Sequence, residues 1–126
     1  MTEQLTINEK KQVNNRLLNH CRSIADDITN GLKGEWVEEF KKENEGEEPT
    51  AYDYLNDALS IDYIIGSDGV FKGAEVLVTF GGPNITINTR NKCIEGCWWG
   101  DSAKAYYDDN LGLEECLEEL YECGRA

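Results

Sequence analysis

Residues 74–99 read AEVLVTFGGPNITINTRNKCIEGCWW. Across Asn84–Thr89, Ile85 and Ile87 alternate with polar neighbours, which is the two-residue period of a half-buried strand. Ala74–Phe80 before it and Cys93–Trp99 after it are equally β-rich. The separators Gly81-Gly82-Pro83 and Arg90-Asn91-Lys92 carry turn chemistry. Strands joined by connections this short are antiparallel neighbours, because a parallel crossover needs a dozen or more residues.

The same period extends in both directions. Ile61-Asp62-Tyr63-Ile64-Ile65 reads as a strand ahead of a Gly66-Ser67-Asp68-Gly69 turn, and Ala103–Tyr107 as a last short strand after a Gly100-Asp101 turn. A meander of three to five antiparallel strands is therefore predicted between about residues 61 and 107.

Helical spacing takes over outside that segment. Thr6-Ile7-Asn8-Glu9 has the pattern of a capping box. Val13, Leu17, Leu18, Cys21, Ile24, Ala25 and Ile28 then form one apolar stripe, stopped by Asn30-Gly31. Trp36, Val37 and Phe40 mark a second helix over Glu35–Glu43, ahead of a charged loop that ends at Pro49. Thr50-x-x-Asp53 opens a third, predicted from about Ala51 to Leu59 on Tyr52, Leu55 and Leu59. Asp108-Asp109-Asn110 caps a final helix over about 110–123, with Gly124 as its stop. Its apolar face is Leu113, Cys116, Leu117, Leu120 and Tyr121. Helices, then a sheet, then a helix indicate an α+β fold with the helices on one face of the sheet. All 126 residues are expected in one domain.

Charge is the most unusual property. The chain carries 25 Asp and Glu against 12 Lys and Arg, a net charge of −13. Residues 1–34 hold four acids and five bases, whereas residues 35–126 hold 21 acids and seven bases. Such a field repels nucleic acid and anionic membrane and draws in basic surfaces. No apolar run approaches a membrane span, and Met1–Lys11 is too polar for a secretory signal. Five cysteines in a chain without a signal fit reduced thiols, so a cytoplasmic location is expected.

Those cysteines do not form a zinc motif. Cys93 and Cys97 fall in a predicted strand, where positions four apart stand about 13 Å from each other. Cys116 and Cys123 lie near the apolar stripe of the last helix, as core thiols do. His20 is the only histidine and borders the stripe of the first helix. There is no GxSxG, no HExxH and no phosphate-cradling loop followed by helix and Lys. No catalytic residue, cofactor or metal is predicted, and the protein is expected not to be an enzyme.

Two surfaces stand out as candidate partner-binding sites. In the last helix, Glu114, Glu115, Glu118, Glu119 and Glu122 make like-charge pairs at i, i+4 with no lysine between Leu111 and Cys123. Each pair costs about 0.2–0.5 kcal/mol, a cost that has a purpose where the face meets a cationic groove. The second is Trp98-Trp99-Gly100-Asp101. Adjacent strand residues face opposite ways, so one tryptophan is expected in the core and the other on the open sheet face, beside Tyr106 or Tyr107, as an interface anchor.

Tyr54-Leu55-Asn56-Asp57-Ala58-Leu59, Gly81-Gly82-Pro83-Asn84-Ile85, Thr89, Trp98-Trp99-Gly100-Asp101 and the Glu-rich helix ending in Cys123 resemble a group of small proteins encoded by bacteriophages and mobile elements of gut Gram-positive bacteria. The likeness covers over half the chain. In size and charge the chain is similar to anti-CRISPR and antirestriction proteins. That resemblance implies an inhibitor of a host defence nuclease, above all a CRISPR effector, acting on its nucleic-acid groove and able to mimic DNA. The alternative is a phage regulatory or protein-interaction module that leaves nucleic-acid binding alone.

Overall fold

The helix ends are set by local chemistry. In a computed structural model that describes residues 6–125, leaving out the side chains at positions 7, 10, 13 and 125, α1 spans Ile7–Asn30. The Glu9 backbone N–H donates to the Thr6 hydroxyl at 3.1 Å, satisfying one orphan donor of the first turn. At the other end the Gly31 N–H donates to the Asp27 carbonyl. Leu17, Cys21, Ile24, Ala25 and Ile28 are buried in one stripe, while Val13, read on the same stripe, lies outside the described side chains. α2 (Glu35–Glu43) buries Val37 and follows the dipole rule, with Glu35 and Glu38 in its first turn and Lys41 and Lys42 in its last.

α3 covers only Ala51–Leu55. The Asp53 carboxylate accepts from both the backbone N–H and the hydroxyl of Thr50, so the expected cap is present. The expected extension to Leu59 is not. The Leu59 N–H already donates to the Leu77 carbonyl at 2.9 Å, which commits the chain to the sheet, and the Leu59 side chain is exposed.

Five strands follow: β1 (Ser60–Ile65), β2 (Phe71–Thr79), β3 (Asn84–Asn88), β4 (Cys93–Trp98) and β5 (Asp101–Tyr106). They form one antiparallel sheet in sequence order. β2 begins three residues before the expected Ala74. The β1–β2 turn closes early, with the Gly66 N–H donating to the Val70 carbonyl, and a register shift at Ile64/Ile65 then pairs Ile65 with Phe71. β3 ends at Asn88, yet Thr89 continues the pairing. Its N–H donates to the Ala74 carbonyl, and its hydroxyl accepts from the Ala74 N–H at 2.8 Å. The last turn is Trp99-Gly100 and not Gly100-Asp101. Trp98 pairs directly with Asp101, and both linking residues take positive φ, 54° and 80°, as a type I′ hairpin requires.

Pleating divides the sheet into two faces. Ile61, Tyr63, Ala74, Val76, Ile85, Ile87, Ile94 and Ala105 lie on one face and pack with the helices in a single apolar cluster. α1 crosses that face over β4 and β5, and α4 (Leu113–Arg125) packs over β2. Gly96 sets how closely α1 approaches. A Cβ there would come within 2.7 Å of Leu17 Cδ1 and 2.9 Å of Cys21 Sγ. The fold is α+β, with a five-stranded antiparallel meander carrying its helices on one face. Among the described residues, no helix is long and apolar enough to cross a membrane.

Candidate functional site

α4 is positioned by one side chain. The Asp109 carboxylate accepts from the backbone N–H groups of Gly112, Leu113 and Glu114, at 3.0, 2.8 and 2.9 Å. The segment before it is tied to the end of α1: the Asp108 N–H donates to the Thr29 hydroxyl and the Asn110 amide to the Thr29 carbonyl. Leu113, Cys116 and Leu117 are buried against the sheet, with Leu120 and Tyr121 packed beside them. The Tyr121 hydroxyl donates to the Gly69 carbonyl in the β1–β2 turn. The helix does not stop at Gly124 and continues to Arg125; glycine is an allowed, if weak, helix residue.

With that face buried, the other is fixed outward. Glu114, Glu115, Glu118, Glu119 and Glu122 are all exposed. Glu115, Glu118, Glu119 and Glu122 line one open concavity of about 410 Å³ together with Tyr52 and Cys123. Glu114 stands on the opposite flank of the arc and outside it. Tyr52, from α3, donates its hydroxyl to Glu119. That bond to a carboxylate pushes the Tyr52 pKa up to about 12. None of the residues lining this concavity is basic.

Trp98, Trp99 and Asp101 lie elsewhere. Tyr121 reaches the β1–β2 turn, whereas the β4–β5 turn closes the opposite end of the strands. The glutamates and the tryptophans therefore form two separate surfaces. Trp98 faces the core side and is partly buried, and a Cβ at Gly82 would sit 3.4 Å from its indole nitrogen, so the β2–β3 turn lies against it. Trp99 is 52% exposed, but it projects from the turn and not from the open sheet face. Its expected aromatic neighbours are not beside it. Tyr106 pairs with Cys93 at the far end of the hairpin, about 17 Å away at strand spacing, and Tyr107 is buried. Phe80 is a further exposed ring that the strand period does not mark. This ring is 75% exposed at the same end of the sheet as Trp99, because β2 stops at Thr79, whose hydroxyl donates to the Pro83 carbonyl.

The thiols divide. Cys21, Cys93 and Cys116 are buried, and burial raises the pKa of each. Cys97 and Cys123 are exposed. That corrects the assignment of Cys123 to the core stripe: it lies two turns beyond buried Cys116, past Tyr121, the last α4 residue packed on the core. His20 is exposed on α1. Among the described residues, no group of three or more His, Cys, Asp or Glu is placed to hold a metal ion. No family model, curated protein or solved structure matches the chain.

Proposed function

We propose that this protein is a non-catalytic inhibitor that lays the acidic face of α4 on the basic, nucleic-acid-binding groove of a host defence nuclease such as a CRISPR effector. The observation that carries the reading is the arc of five exposed glutamates on a helix whose other side packs on the core. Glu114 to Glu122 spans about 12 Å at helical rise, or roughly one charge per 3 Å. Duplex DNA carries about one per 1.7 Å of axis. The helix spacing is close to the ~3.4 Å per charge along one strand of that duplex, so one groove can accept either.

The test begins with capture of the partner from host lysate at low and high salt, followed by a DNA-cleavage assay on that partner. Binding is expected to fall steeply as salt rises, since exposed charges are screened beyond about 8 Å at physiological ionic strength. The triple replacement Glu115→Gln, Glu118→Gln, Glu119→Gln is expected to weaken capture severely while leaving folding intact or slightly improved. A captured partner that still cleaves DNA with the protein bound in excess would sink the inhibitor reading.

Trp99 favours a second reading, in which the β4–β5 turn anchors a partner and nucleic-acid binding is untouched. A bulky, half-exposed side chain held at φ 54° is placed where a turn favours Asn or Gly, at a cost in backbone strain. That mode predicts binding lost on Trp99→Ala and little affected by salt.

A further inference from the structure

An apolar recess with a charged rim opens between α2, the end of α3 and β2, and shares no residue with either surface described so far. Its floor is Leu55, Ala58, Val76 and Val78, of which Leu55 and Val76 are buried. Two rings wall it: Trp36 of α2 and Tyr54 of α3, with centroids 6.5 Å apart and planes at 44°. At the rim stands Asp57, exposed and, among the described residues, in no ion pair or side-chain hydrogen bond. The recess holds about 140 Å³. That is close to the ~150 Å³ of an apolar cavity able to hold a benzene ring, and so suited to an occupant of five or six heavy atoms.

Aromatic faces, an apolar floor and a lone carboxylate select one kind of occupant. Ring faces are electron-rich and attract a cation set over them. The floor takes methylenes, whose burial is favourable in proportion to the area removed from water. The carboxylate argues against a purely apolar guest, which would strip water from Asp57 and return no hydrogen bond. An ammonium or guanidinium on a short aliphatic stem satisfies all three, and the charge of −13 favours its approach. We infer that this recess receives a single lysine or arginine side chain of the basic protein partner, with its stem on Leu55 and Val76, its charged head against the Trp36 and Tyr54 rings, and Asp57 as counter-ion. The inference rests on the reading above that the partner is basic. It adds a side-chain-specific contact to a recognition otherwise set by diffuse charge.

The test is a titration of the ¹⁵N-labelled full chain, followed by amide and indole chemical shifts. The probes are N-acetyl-lysine methylamide, N-acetyl-arginine methylamide and the neutral, nearly isosteric N-acetyl-norleucine methylamide. Both cations are expected to move the Trp36 indole and Ala58 amide resonances while the Trp98 and Trp99 indoles stay still, with norleucine binding more weakly. Asp57→Asn is expected to weaken the cations about two- to fivefold, the size of an exposed charge contact, and to leave norleucine unchanged. Trp36→Leu, at a position 37% exposed, is expected to abolish the Ala58 response in a folded protein. Norleucine binding as tightly as the cations, or Asp57→Asn binding them unchanged, would overturn the assignment. So would cation titrations that leave Ala58 still at the highest soluble concentration. The α4 glutamine variant is expected to titrate like the parent. A failed titration thus removes the recess and leaves α4 standing, whereas a normal titration in a protein that captures no basic partner removes the reading of α4 and keeps the recess.

Discussion

Trp99 is held at φ 54°, in the left-handed region that a bulky residue enters at a cost of about 1–2 kcal/mol. Asn and Gly are the residues that two-residue hairpins favour there. Trp99→Asn would give the turn Asn-Gly, the strongest short hairpin signal, and unfolding in urea is expected to show a gain of about 1 kcal/mol. If Trp99 anchors a partner, the same variant captures it less well, a stability gain with a binding loss that a purely structural residue would not show. The sequence made the Trp98–Trp99 step visible but not its geometry. Alternation sent Trp99 to the open sheet face, whereas the hairpin closes on Trp98 and Asp101 and turns Trp99 out of the pleat. Asp27 shows the opposite limit. Burial raises its pKa against the pull of Lys33, yet nothing in Ala25-Asp26-Asp27-Ile28 distinguishes it from the more open Asp26, whose hydrogen bond with Lys33 lowers its pKa.

α4 hangs from one carboxylate. Asp109 satisfies three of the four donors that a helix N-terminus leaves open. Asp109→Ala is expected to cost about 1–2 kcal/mol in thermal or denaturant unfolding, with the loss concentrated in slowed re-docking of the last helix. Caps and stripes of this kind were legible from residue order alone. Helical spacing located α1, α2 and α4 because each buries one face on a single sheet. It overran α3 because Leu59, although correctly spaced after Leu55, is exposed and its backbone belongs to the sheet. Strand starts were harder. Gly73 interrupts the alternation of Phe71-Lys72-Gly73, so the buried Phe71, packed by its ring on Tyr63 and Tyr121, looked like loop. The acidic face of α4 could be listed residue by residue, but its concavity could not, because Tyr52 enters it from α3. The recess under Trp36 was equally hidden, since its walls come from three elements separated in sequence.

Charge is carried with little internal compensation. Ion pairs join Lys33 to Asp26 and Asp27, and Lys41 to Glu48. Asp62 and Glu75 even stand directly across from each other on β1 and β2. Self-repulsion of this kind is relieved by salt. Raising NaCl from low to physiological concentration is expected to add about 1 kcal/mol, or roughly 4 °C in Tm, for a chain of this length. A Tm that falls or stays flat would mean that the acids are better compensated than their geometry indicates. The order of assembly has its own consequence. α1 is made before the strands it covers: its apolar stripe rests on β4 and β5, which leave the ribosome some 70 residues later. The intervening strands can zip up as they emerge, each on its immediate predecessor. Until β4 and β5 emerge, Leu17, Cys21, Ile24 and Ile28 lack the surface that covers them in the fold. The nascent chain carries a sticky, roughly neutral helix tethered to a growing acidic meander, and the interval before β5 appears is when it most needs a chaperone.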